Sequence, residues 1–175
     1  MRVFVSVTVA SVLAFLFVSG NVSAESAKEH IKIGESFYEK GLFRESLAEL
    51  DLAVAGDRNS RHAWYAHGKT LYELGEYRAA IADFSRALEL KKNCHRYHYQ
   101  RGRCYVALKE YEKAVADFSE AIEIKSDYDK AYFARGQVAF ELNDTVKAYE
   151  DMRSAGKLGN TEASVWLETH GAENR

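Results

Sequence analysis

Ala63-Trp64-Tyr65-Ala66-His67-Gly68 is followed, two residues on, by Leu71-Tyr72-Glu73-Leu74-Gly75-Glu76-Tyr77 and then by Ala80-Ile81-Ala82-Asp83-Phe84. The same pattern returns 34 residues later, with Arg101-Gly102, Tyr105, Tyr111, Ala114, Asp117-Phe118 and Ala121-Ile122 in the corresponding places. Working outward, Gly34 and Gly136 extend Gly68 and Gly102 to a series of four at a constant spacing of 34, without insertion or deletion. Twelve residues after each glycine stand Ser46, Ala80, Ala114 and Ala148, and seven beyond those stand Ala53, Ala87, Ala121 and Ala155. Between them fall Leu50, Phe84, Phe118 and Met152. A fixed period of roughly 20–50 residues is the signature of stacked supersecondary units, not of a globule folded around one site. Small residues at two fixed places, with a large apolar one between, predict two helices that cross closely at glycine and alanine.

These residues resemble the tetratricopeptide repeat. Units at 27–60, 61–94, 95–128 and 129–162 cover nearly all of the chain after its first segment. The resemblance implies an all-α fold, a right-handed α-solenoid of four helix-turn-helix repeats with a C-terminal capping helix at 163–170. In that helix Val165 and Trp166 are expected to cover the apolar end of the last unit. Some positions depart from the family pattern. The usual proline near each unit's end is replaced by Arg58, Lys92, Ser126 and Asn160; Ser46 stands for alanine, and Thr145 for the aromatic of Phe43, Tyr77 and Tyr111.

Within the first unit, His30, Ile33, Gly34 and Phe37 follow the spacing of a buried helical stripe, and Phe43, Leu47, Leu50 and Val54 form its partner. Gly41, Gly75, Lys109-Glu110 and Asn143-Asp144 mark the turns between. Glycine inside a helix costs ~1 kcal/mol relative to alanine, so its recurrence demands a close approach by the partner helix. Ion pairs Asp83–Arg101 and Asp117–Arg135 are expected across unit boundaries, fixing register more than adding stability.

The opening residues read as a targeting signal. Arg2 is followed by an uncharged apolar stretch from Val3 to Val18, and Val22-Ser23-Ala24 carries small residues where a signal peptidase reads. Residues 1–24 are read as a signal peptide cleaved between Ala24 and Glu25, leaving a tetratricopeptide domain over 25–175. An uncleaved membrane anchor is the alternative, although the stretch falls short of the ~20 residues a spanning helix needs. Losing Arg2 moves the formal charge from −2 to −3. That mild acidic excess argues against nucleic acid as a partner, which demands a clustered basic footprint. Cys94 and Cys104 lie about 15 Å apart along one expected helix by its rise per residue, too far for a disulfide. Cys104 reads as packing, and Cys94, in the turn, as partly exposed.

In the family, the first helix of each unit lines the concave side of the curved array. A stripe stepping by three or four runs through Lys28, Ile31, Glu35 and Tyr38, and in the second unit through His62, Tyr65, Lys69 and Tyr72. It continues through Arg96, Tyr99, Arg103 and Val106, then Lys130, Phe133, Gln137 and Phe140. From this wall the candidate ligand-groove residues are Tyr38, Tyr65, Lys69, Tyr72, Arg96, Tyr99, Arg103, Lys130, Phe133 and Phe140. Aromatics and arginine anchor protein interfaces, so the expected partner is a protein or peptide that meets the cations with acidic side chains or a terminal carboxylate. Family members that grip acidic chaperone tails use lysine, asparagine and arginine at places that hold Ile31, Glu35, Ala66, Arg96 and Gln100 here; only Arg96 fits.

No catalytic residue, cofactor or metal site is assigned, and no small-molecule substrate is expected. The chain has no Gly-rich phosphate loop, nucleophile elbow or HExxH. Cys94, His95 and His98 make an incomplete ligand set, and His98 takes the place of Trp64 and Tyr132, which reads as packing. The function expected is a non-catalytic interaction module or adaptor outside the cytoplasm, in a bacterial periplasm, with secretion or an uncleaved anchor as alternatives. Membrane association is expected only with that anchor. A structural or self-assembling scaffold is the second reading, and homo-oligomers stay open.

Overall fold

The computed structural model describes residues 24–171. The expected signal segment, apart from Ala24, lies outside the described residues. The described residues form α1 (Ala24–Glu39), α2 (Phe43–Gly56), α3 (Arg61–Glu73), α4 (Tyr77–Leu90), α5 (His95–Ala107), α6 (Tyr111–Ile124), α7 (Asp129–Glu141), α8 (Thr145–Lys157) and α9 (Thr161–His170). No strand occurs among them, and no helix there is long and apolar enough to cross a membrane. Each odd helix packs against the even helix that follows, and each hairpin against the next. The odd helices also touch in succession, α1 with α3, α3 with α5 and α5 with α7, making one continuous wall.

The glycines explain how the hairpins close. A Cβ built on Gly34 would lie 2.7 Å from Leu50, on Gly68 2.9 Å from Phe84 and on Gly102 2.7 Å from Phe118. Carbon atoms pack at ~3.5–4.0 Å, so these crossings admit only a hydrogen. Leu50, Phe84, Phe118 and Met152 are fully buried under them. Ser46, the exception to alanine, is buried as well and pairs with Thr70 Oγ1 at 3.1 Å. Thr70 donates onward to the Ala66 carbonyl at 3.1 Å, leaving the Ser46 hydroxyl to donate to Thr70. The substitution thus joins α2 to α3 by a satisfied buried pair.

The ion pairs differ from the sequence expectation. Arg101 donates from Nε and Nη2 to Asp117, both at 2.8 Å, and Arg135 makes the same fork with Asp151 at 2.8 Å. These pairs lie inside one hairpin, because the two helices facing each other across the glycine bring arginine and aspartate opposite. Across the unit boundary each arginine donates instead to a serine, Arg101 to Ser85 at 3.0 Å and Arg135 to Ser119 at 2.9 Å. Asp83 belongs to His67, whose Nδ1 lies 2.6 Å away, while the Nε2 of His67 meets Asp51 across the boundary at 3.1 Å. One design is therefore written twice with arginine and once with histidine.

Other expectations are corrected at the ends. Of the first stripe only Gly34 is buried; His30, Ile33 and Phe37 are half-buried, since no hairpin among the described residues precedes α1. Its partner stripe buries Leu50 alone and leaves Phe43, Leu47 and Val54 half-buried. Ile31, placed in the groove stripe, is buried against Leu50, Ala53, Ala63 and Ala66. The closing helix starts at Thr161, capped by Asn160, whose Oδ1 accepts from Ala163 N at 2.9 Å. Ala163, Trp166 and Leu167 cover the last hairpin, whereas Val165 stays 58% exposed. Cys94 is buried, like Cys104, and both thiols are free.

Candidate functional site

The wall of odd helices carries the candidate groove. On α1 and α3, the Lys69 Nζ stands 4.1 Å above the Tyr38 ring and 5.9 Å from that of Tyr65. Tyr38 donates its hydroxyl to Glu73 at 3.1 Å. On α5, the Arg103 guanidinium lies 4.3 Å over Tyr72, and that of Arg96 5.9 Å from Tyr65. Successive units are thus linked by a cation on one helix seated on a tyrosine of the helix before. Such contacts hold a side chain in place at small cost to its charge.

Towards α7 the wall deepens into a pocket of about 480 Å³. Tyr72, Tyr99, Arg103, Lys130 and Phe133 line it together, with Val106 and Gln137 of the same stripe. Asn160 and Glu162, at the start of α9, close its far end. Tyr38, Tyr65, Lys69 and Arg96 continue the wall beside the pocket without lining it. Phe140 turns elsewhere: its ring lies edge-on to Trp166 at 5.3 Å and to His170 at 5.4 Å, so it seats the closing helix.

Sequence reasoning missed Tyr128, whose ring meets Tyr99 at 5.2 Å and so backs the pocket. It also missed Asn160 and Glu162. A signal was present, since Tyr128 and Glu162 occupy the repeat slot held by the small residues Ser60 and Cys94 in the first two units.

Residues 65–129 match the family model described as tetratricopeptide repeat. That segment is tetratricopeptide-like in sequence. Solved tetratricopeptide-like folds resemble the chain over most of its length. A crystal structure of MamA superposes with a TM-score of 0.73 at 24% identity, covering 79% of this chain and 81% of that one. For pilF of Pseudomonas aeruginosa the TM-score is 0.73 at 21% identity, over 82% of this chain and 66% of that one. The first repeat domain of Spaghetti (RPAP3), solved with the HSP90 peptide SRMEEVD, gives 0.68 at 17% identity, over 70% of this chain and 98% of that one. No curated protein matches the sequence.

Electrostatics divide the helical array into two sides. On the hairpin seams buried carboxylates are partnered: Asp117 by Arg101 and the His98 ring, Asp151 by Arg135, and Asp83 by His67, which also meets Asp51. On the wall, Lys69, Arg96, Arg103 and Lys130 make no ion pair among the described residues. Burial, then the neighbouring Glu73, pushes the Tyr38 hydroxyl up to about 12. Burial likewise raises Tyr99 and Tyr128, so these phenols stay neutral donors at any physiological pH. The wall therefore offers rings, neutral hydroxyls and four cations outside any ion pair, with the carboxylates of Glu35, which pairs with His62 at 2.9 Å, Glu73 and Glu162 on the same face.

Proposed function

We propose that the chain is a non-catalytic interaction module that receives an extended acidic segment of a partner protein along the wall of α1, α3, α5 and α7. The observation that carries this reading is the contrast between paired seam charges and unpaired wall cations. Lys69, Arg96 and Arg103 are held on tyrosine rings and make no ion pair of their own, which sets them for an incoming anion, and charge-assisted hydrogen bonds to arginine are among the stronger contacts in an interface. The peptide bound to the RPAP3 repeat domain gives a similar fold in that use. Of the places that make the family's acidic-tail grip only Arg96 fits here, so the contacts would run chiefly through Lys69, Arg103 and Lys130. The segment 1–24 directs the module out of the cytoplasm, to a periplasm in a bacterial source.

The test is capture from the exported protein fraction by the intact chain, against a Tyr65→Ala, Tyr99→Ala, Arg103→Ala variant. Capture is expected to disappear from the variant while its helical circular dichroism is retained. Persistent capture contradicts the reading. A scaffold that assembles through its ends is favoured by one feature, a hollow of about 260 Å³ on the outer flank of α1, where Ile33 and Phe37 stand among Lys32 and Lys40. Light scattering over a concentration series distinguishes the two, since the groove reading expects a constant mass.

A further inference from the structure

We propose that the outer seam of the third hairpin, between α4, α5 and α6, is a second binding site that receives one indole side chain of a partner protein. The observation is a break in the repeat. In the second hairpin the slot holds Trp64, half-buried against the cluster of Ala87, Leu88, Cys94 and Tyr97, and its Nε1 donates to the Arg58 carbonyl in the preceding turn at 2.9 Å. In the fourth, Tyr132 takes the slot, with its ring centroid 5.8 Å from the Arg135 guanidinium. The third hairpin has His98, a smaller ring drawn onto Asp117 at 3.1 Å.

A hollow of about 280 Å³ remains, lined by Leu88, Lys92, His98, Arg101, Glu120 and Ile124. The groups that hold the aromatic ring in the other hairpins recur around it. Lys92 occupies the slot of Arg58 in the repeat, and its carbonyl lies in the turn before α5, which is bonded differently from the turn before α3. That carbonyl accepts from Cys94 N at 3.1 Å, and a carbonyl oxygen has a second lone pair. Arg101 occupies the slot of Arg135. Its N–H groups are committed in-plane to Asp117 and Ser85, which leaves the flat face of the guanidinium for a ring. The charge complements an indole, whose electron-rich face suits the two cations Arg101 and Lys92, with Leu88 and Ile124 as apolar walls.

The repeat favours a side chain as occupant, because the same slot holds an aromatic side chain, Trp64 or Tyr132, in the neighbouring hairpins. The seam lies on the flank of α5 away from the groove and shares no lining residue with the groove pocket. The proposal therefore stands or falls apart from the groove reading.

The test is a titration of the intact, isotope-labelled protein with N-acetyl-tryptophanamide, followed by NMR. Saturable shifts are expected at Leu88, His98, Arg101 and Ile124, with none at Tyr72, Arg103 or Phe133. N-acetyl-leucinamide at equal concentration is expected to give none. His98→Trp restores the ring of the second hairpin and is expected to abolish the response; should that variant misfold by circular dichroism, His98→Tyr restores the ring of the fourth and is expected to do the same. Absent shifts, equal shifts with the leucine amide, or shifts that persist in a folded filled variant would overturn the proposal.

Discussion

At Gly102 a single methyl group would meet Phe118 at 2.7 Å, and Phe118 has no exposed surface through which to retreat. Gly102→Ala is therefore expected to lower stability by about 1–3 kcal/mol in urea denaturation, despite the better helix propensity of alanine. Gly136→Ala should cost less, since a Cβ there first meets Asp151 at 3.1 Å and the flexible end of Met152 at 3.2 Å. His67 gives a second residue-scale prediction. Burial pulls its pKa down, but the hydrogen bonds and charges of Asp83 and Asp51 outweigh this and raise it above 6.5. A raised histidine pKa means stability fully present below 6.5 and lost as pH rises through the folded value. An NMR titration should place the His67 midpoint above 6.5, and His67→Gln should flatten the stability profile over that window. A midpoint below 6.5 would contradict the two-carboxylate geometry. The glycine crossings were legible in spacing, but the ion pairs were not. Arg101 follows Asp83 by 18 residues and precedes Asp117 by 16, and only the facing of the two helices decides between them.

At the scale of the element, the turns share one conformation. Gly41, Gly75, Lys109 and Asn143 occupy the same repeat slot and have φ of 72°, 80°, 58° and 60°. Left-handed backbone costs a lysine roughly 1–2 kcal/mol, partly returned on mutation to glycine as chain entropy. Lys109→Gly is expected to raise stability by about 0.5–1 kcal/mol in thermal denaturation, and Gly75→Ala to lower it by a similar amount. The opposite order would mean that the turn is not held in this conformation. All of these turns could be placed from sequence, because glycine and asparagine name the left-handed region and the fixed period carries it to Lys109. The end helices were less legible. The repeat pattern assumes a neighbour on both sides, so it overstated the burial of Ile33 and Phe37, and at the other end it chose Val165 where Leu167 packs.

At the scale of the whole molecule, equal hairpins bring the odd helices into one wall, and side chains 34 residues apart fall into line. That is why Tyr72, Tyr99, Arg103, Lys130 and Phe133 could be grouped from spacing before any contact was known. Phe140 and Tyr128 could not be sorted this way, because their surroundings depend on the closing helix and on a break in the repeat. Binding to unpaired wall cations should weaken as salt rises from 0.05 to 0.5 M, as the Debye length falls below ~10 Å; capture indifferent to salt would point to apolar contacts alone. The most direct measurement is site-specific photocrosslinking in the exported fraction. A benzophenone amino acid at Phe133, inside the pocket, is compared with one at Val146, 70% exposed on α8. The account predicts adducts from position 133 whose crosslinked peptides are acidic, and none from 146. Adducts from 146 alone would contradict it.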